Sequence, residues 1–143
     1  MNRSRDVTLT LLRVVVGLLF FCPGALKMFG WFGGMPGPPG PLPPLLFWAA
    51  LIEIVAGPLV LIGLLTRPIS FLASGEMAYA YFHSHYPQGF WPIQNGGQPA
   101  VLFCFVFLFL AANGAGPVSV DAWFARSRAP ASGREGNSAT GRA

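Results

Sequence analysis

The chain has 143 residues, which bounds it to about one domain. Hydrophobic residues make up 53% and charged residues only 10%, whereas a soluble domain carries about 25% charge. That balance, with a positive mean hydropathy, points away from a soluble globular protein and toward the membrane. The net charge of +4 sits mostly at the chain ends. No basic patch interleaved with aromatics accompanies it, so it reads as an orientation signal and no nucleic-acid partner is expected.

Met1 to Asp6 is short, polar and basic, with Arg3 and Arg5. The first apolar run extends from Val7 to about Phe29. Arg13 interrupts it and no small-x-small cleavage site follows, so it reads as a retained helix, not a secretory signal. Arg13, Gly17, Phe20, Gly24 and Lys27 are spaced by four, three, four and three, which places them on one helix face. A face with two charges and two glycines should turn toward other helices. Pro23-Gly24 is expected to kink the helix. Arg13 lies one to two turns inside the cytoplasmic border, where its stem is expected to snorkel to the headgroups.

Trp31 to Pro44 reads WFGGMPGPPGPLPP, a tethering loop too rich in Gly and Pro for a helix. The second run, Leu45 to Leu65, holds one charge, Glu53, near its middle. About 21 residues at ~1.5 Å rise give ~31 Å, the thickness of a bilayer's hydrocarbon core. A charge at the centre of such a helix costs roughly 2.5–3.5 kcal/mol on insertion scales. Glu53 therefore needs a partner.

Thr66-Arg67-Pro68 is a tight connection, with Pro68 suited to the first turn of a third helix over about 69–85. On that helix Glu76, Tyr79, Ala80 and His83 share a face, and Pro87 ends it. Gln88 to Gln98 is an uncharged loop. The fourth run, about 99–113, is short for a span, so the bilayer thins there or the Asn95-Gly96-Gly97 turn lies among the headgroups. Its Phe103, Phe105, Phe107 and Phe109 read most simply as lipid-facing. Val118 to Arg128 suggests a short interfacial helix starting near Ser119, and residues 129–143 are expected to be disordered.

The fold class read from this pattern is all-α: an integral membrane four-helix bundle with a short interfacial C-terminal helix. Its membrane domain spans residues 1–128. Arginines at the N-terminus, at Arg67 and in the tail place both termini on the cytoplasmic side. Trp31, Trp48 and Trp91 then fall at the outer interface and Trp123 at the inner one.

In that topology Glu53 and Glu76 lie at similar depth, with Lys27, His83 and His85 toward the outer end. The opposite charges predict an ion pair of Lys27 with Glu53 or with Glu76. Three readings stand open. The pair fixes helix register only. Alternatively, two carboxylates sharing one lysine leave one of them protonated, which suits proton-coupled work or a polar head group such as a quinone ring. In the third, one glutamate faces water. Arg13 and Arg67 are structural charge candidates. His83 and His85 at i, i+2 do not converge on a helix, so no metal site is expected, and His83 is a candidate proton relay. Cys22 and Cys104 fit no metal or CxxC spacing and read as two small buried hydrophobes, a thiol pair being the alternative.

The ordered set resembles the DoxX family of small bacterial membrane proteins. Its elements are Arg13 with Gly17, Gly24 and Lys27; Glu53-x-x-x-Gly57; Gly63-x-x-Thr66-Arg67; Met77-x-x-Ala80-x-x-His83; Asn95-Gly96-Gly97; and Gly116-Pro117-x-Ser119-x-Asp121. The family pattern usually continues Asn-Gly-Gly-Glu, where this chain has Gln98, which removes an acid from the outer mouth. The resemblance implies a four-helix protein of the bacterial cytoplasmic (inner) membrane. It also implies a link to thiosulfate:quinone oxidoreduction and to membrane oxidoreductase complexes. On that reading Lys27, Glu53, Glu76 and His83 are the quinone- or proton-binding candidates, and a quinone is the expected ligand. The partners would be the lipid bilayer, other oxidoreductase subunits and a second copy of the chain. No haem, flavin or iron–sulfur ligation pattern is present in the sequence, so an electron carrier would come from another subunit. The alternative reading is a non-enzymatic scaffold or small-molecule binding protein.

Overall fold

A computed structural model describes residues 3–37 and 40–128. The tail read as disordered, 129–143, lies outside the described residues. Every regular element among the described residues is helical.

Helix α1 runs Arg3–Phe29 and begins a turn earlier than the apolar run. Asp6 opposes the dipole in its first turn, and the hydroxyls of Thr8 and Thr10 donate to the carbonyls of Ser4 and Asp6. Both α1 and α2 (Pro44–Ile62) continue through an internal proline, Pro23 and Pro58 respectively. Helix α2 stops three residues short of Leu65. Gly63 takes a left-handed conformation (φ 74°), and its N–H and that of Leu64 fold back onto the last carbonyls, including Leu59 O. Helix α3 (Thr66–Ala80) starts at once, from Leu65 at φ 51°. It widens into a π turn over Tyr81–His85. The loop that follows contains a one-turn helix, α4 (Pro92–Asn95), before α5 (Gln98–Asn113). Helix α6 (Val120–Ser127) is N-capped by Ser119, whose Oγ accepts from the N–H of Ala122 at 3.1 Å.

Helix α1 lies along α2, and α3 lies along α5. Glycine sets the first contact. A Cβ on Gly17 would stand 2.7 Å from Gly57 O, and one on Gly57 would stand 2.8 Å from Gly17 O. The two backbones are in contact there, as small residues allow in membrane helices. Phe20 joins the two pairs, with its ring 4.6 Å from Phe107 and 5.6 Å from Phe103. Around it sit Val16, Val60, Met77 and Leu110. The face of α1 bearing Arg13, Gly17, Phe20 and Gly24 is the buried one.

Two expectations are corrected. The phenylalanines of the last long helix do not all face outward: Phe107 is fully buried and Phe103 packs on Phe20, while Phe105 and Phe109 are exposed. The cause is the 3.6-residue period, which sets positions 103 and 107 on one face and rotates 105 and 109 away. Arg13 does not snorkel. It is 2% exposed, and its guanidinium donates to Val60 O (3.0 Å), Leu61 O (2.7 Å) and Val118 O (2.7 Å). The free carbonyls at the end of α2 are the nearest strong acceptors, and they bind it more cheaply than a stretched path to the headgroups.

Asp121 does the converse for α3. Its carboxylate accepts from the N–H groups of Leu65 (2.8 Å) and Thr66 (2.9 Å), and its own N–H donates to Gly63 O at 2.9 Å. A charge from α6 thus caps the start of α3 across the fold.

Candidate functional site

The end of the molecule opposite Arg13 holds a cavity of about 340 Å³. Its walls come from α1 (Phe20, Pro23), α2 (Leu46, Ala49), α3 (Met77, Ala80) and α5 (Pro99, Phe103). Lys27, Glu53, Glu76 and His83 all line it, with Tyr79, Ser84 and His85 beside them. A mostly apolar wall with a few converging polar groups is the pattern of a small-molecule site, and the volume is at the lower end of that class.

The ion pair is Lys27 with Glu53, not with Glu76. Lys27 Nζ lies 2.6 Å from Glu53 Oε1 and 2.7 Å from Oε2. The Glu53 side chain is 3% exposed and that of Lys27 is 18% exposed. Gly24 makes the approach possible, because a Cβ there would stand 2.9 Å from Glu53 Cβ. Glu76 stands otherwise. Both of its carboxylate oxygens are buried, and neither has a hydrogen-bond partner among the described residues. A buried polar group is nearly always paired, so an orphaned carboxyl beside a cavity is the exception in this fold that calls for an explanation.

His83 is exposed at the rim, stacked on Tyr79 with ring centroids 5.2 Å apart and Nδ1 3.4 Å from the tyrosine hydroxyl. The π turn brings His83, Ser84 and His85 all to the cavity border, a cluster that α-helical spacing would spread around the axis. His85 Nδ1 lies 3.0 Å from Asn95 O. Among the described residues no three His, Cys, Asp or Glu side chains group as metal ligands. Cys22 and Cys104 are both free, with Ser74 Oγ donating to Cys104 O at 2.8 Å. Arg13 and Arg67 belong to the far end. Arg67 is exposed, with Nε lying 3.2 Å from where a Cβ on Gly114 would be.

Two further groups organise the loop after the π turn: Asn95, which the sequence marked only as part of a turn, and Tyr81, which it did not mark. Buried Asn95 accepts from Gly97 N (2.8 Å) and donates to Gly89 O (2.7 Å), which ties the loop before α5 together. The Tyr81 hydroxyl donates to Phe90 O in the same loop. The first was readable, since Asn-x-Gly is an Asx-turn pattern. The second was not, because nothing local singles out Tyr81 from its aromatic neighbours.

Two features define the class of protein. Helices α1 and α2 are long and apolar enough to cross a bilayer. On α1 an exposed stripe of Val7, Leu11, Val15 and Leu18, each half exposed or more, has no protein against it. Such a chain, with an ion pair buried between its two longest apolar helices, is a helical membrane protein. The DoxX family model matches residues 8–86, more than half of the chain, and the protein belongs to that family. A Haemophilus influenzae (strain ATCC 51907 / DSM 11121 / KW20 / Rd) protein described only as "Uncharacterized protein" is 39% identical over 125 residues. That alignment covers 85% of this chain and 93% of the relative. No solved structure matches.

Proposed function

We propose that this DoxX protein is a multi-pass protein of the bacterial cytoplasmic (inner) membrane that binds a quinone ring in the Lys27–Glu53–Glu76–His83 cavity, as a subunit of a membrane-associated oxidoreductase complex. In this reading α1, α2, the α3–π segment and α5 are four spans of one bundle. Both termini are cytoplasmic, and α6 lies at the inner interface. The continuous run from Thr66 to His85 supports the third span, since at ~1.5 Å per residue it matches a bilayer core.

The observation that carries the ligand reading is the unpartnered Glu76 carboxyl beside a satisfied Lys27–Glu53 pair. Reducing a quinone to a quinol takes two electrons and two protons. The electrons would come from a carrier on another subunit. Glu76 would pass both protons in turn, one per ring reduction step, being reprotonated between them through His83, which at the rim would connect it to the outer aqueous side. Lys27 retains a third N–H for the other ring oxygen while its Glu53 partner holds it in place. The scaffold reading has its own support, because the Lys27–Glu53 pair also locks α1 to α2 with no ligand needed.

Glu76→Gln tests the first reading against the second. It keeps the shape and polarity but removes the titratable proton. Quinone-dependent turnover of the complex should fall about tenfold or more with a smaller change in binding, because the amide can still hydrogen-bond the ring but has no proton to transfer. Thermal stability should hold, since no protein partner is lost. His83→Gln should slow quinone-dependent turnover of the complex with less effect on binding. Parental binding and turnover in both folded variants would leave only the scaffold.

A further inference from the structure

A second concavity, of about 410 Å³, runs between α2 and α3. It shares Leu45, Ala49, Glu76 and Tyr79 with the polar cavity, so the two adjoin at the Glu76 side chain. Its other walls are apolar, chiefly Trp48, Ile52, Phe71 and Leu72. Trp48, Phe71 and Leu72 are all more than half exposed, which in a membrane means facing hydrocarbon. Two features keep it open. The α2–α3 contact is much sparser than α1–α2 or α3–α5. Gly75, on the groove wall, presents no side chain, and a Cβ there would meet nothing within 4 Å. A glycine inside a helix costs stability, and at this position no close backbone approach requires it.

We infer that the α2–α3 groove is a lateral entry for a lipid-borne ligand, seating its apolar tail while the ring reaches the cavity and meets Glu76. This rests on the quinone reading above and narrows it to tailed, membrane-dissolved molecules. Polar and apolar requirements are thereby separated along one path. Glu76 is the one charged residue of the groove lining, whereas the cavity beyond adds Lys27, Glu53 and His83. A ligand whose one end is a hydrogen-bonding ring and whose other end is an alkyl or isoprenoid chain matches that order. The chain need not be drawn out of the membrane, because the groove wall is itself lipid-facing.

The test uses the full chain in nanodiscs and two probes: a decyl-tailed dimethoxybenzoquinone and the same ring without the tail. Gly75→Phe places a ring in open space on the groove wall. Gly75→Ala is the small control, and both should fold because the site has room and either residue favours a helix over glycine. The parent should bind both probes. Gly75→Phe should weaken the tailed probe about tenfold or more, a loss of at least about 1.4 kcal/mol, and leave the tail-less ring within about threefold, while Gly75→Ala leaves both near parental. Equal affinity of Gly75→Phe and parent for the tailed probe would overturn the entry route while leaving the quinone site standing. So would an equal loss of both probes in the folded variant. A parent that binds neither probe would overturn the quinone reading and the entry route together.

Discussion

Lys27 and Glu53 meet at 2.6 Å across α1 and α2, and the contact answers the cost of placing a carboxylate inside a membrane helix. Breaking one side of such a pair leaves a charge without its counterion. Glu53→Gln or Lys27→Met alone should therefore destabilise by about 3–5 kcal/mol, and the double change by clearly less. A double-mutant cycle on thermal stability in detergent measures the difference, and strictly additive losses would rule out coupling. Arg13 and Asp121 use charge differently. Arg13 serves the carbonyl end of α2, and Asp121 the amide end of α3. Each neutralises backbone groups that a helix end leaves unpaired. The charges at both ends of the molecule thus have partners, and Glu76 is the buried carboxyl without one among the described residues.

At the scale of elements, the α1–α2 contact is set by backbone meeting backbone. Gly17 and Gly57 face each other with no room for a methyl group, and Gly24 does the same against Glu53 and Ile54. Gly17→Leu would have to push the helices apart and stretch the Lys27–Glu53 pair with them. A loss of about 1–3 kcal/mol is expected, as overpacking costs in close-packed interiors, with quinone binding weakened in parallel. Differential scanning fluorimetry on the detergent-solubilised protein would register it. An unchanged melting temperature would mean that the two helices are not held at this distance. The α3–α5 contact is built from side chains instead, with Ala73, Ser74 and Met77 against Ala100, Cys104 and Phe107.

For the whole molecule, the latch of Arg13 and Asp121 and the cavity of Lys27, Glu53 and Glu76 lie at opposite ends of the helices. The basic residues around the first are the basis for calling it the cytoplasmic end, under the positive-inside bias. Reporter fusions at Gly40 and Gly89 should then report the outside, and fusions at Arg67 and after Arg128 the inside. A cytoplasmic signal from Gly89 would overturn the four-span topology and reverse the side from which His83 exchanges protons.

The sequence by itself determined the helical class, the family and the buried face of α1. Those follow from composition, from ordered motifs and from a period of 3.6, all of which are local. It also named Lys27, Glu53 and Glu76 of the cavity lining, because a charge in an apolar run stands out wherever it lies. It left open which glutamate Lys27 would meet, since two acids at one depth are equivalent until the helices have azimuths. It placed all four phenylalanines of α5 outward, because only packing against Phe20 tells the inner pair from the outer. It gave Arg13 to the headgroups, because the end of α2 is 47 positions away along the chain. The gap between α2 and α3 had no signal at all. It exists because each of those helices is drawn to a different partner, and that competition is decided only when all of them pack at once.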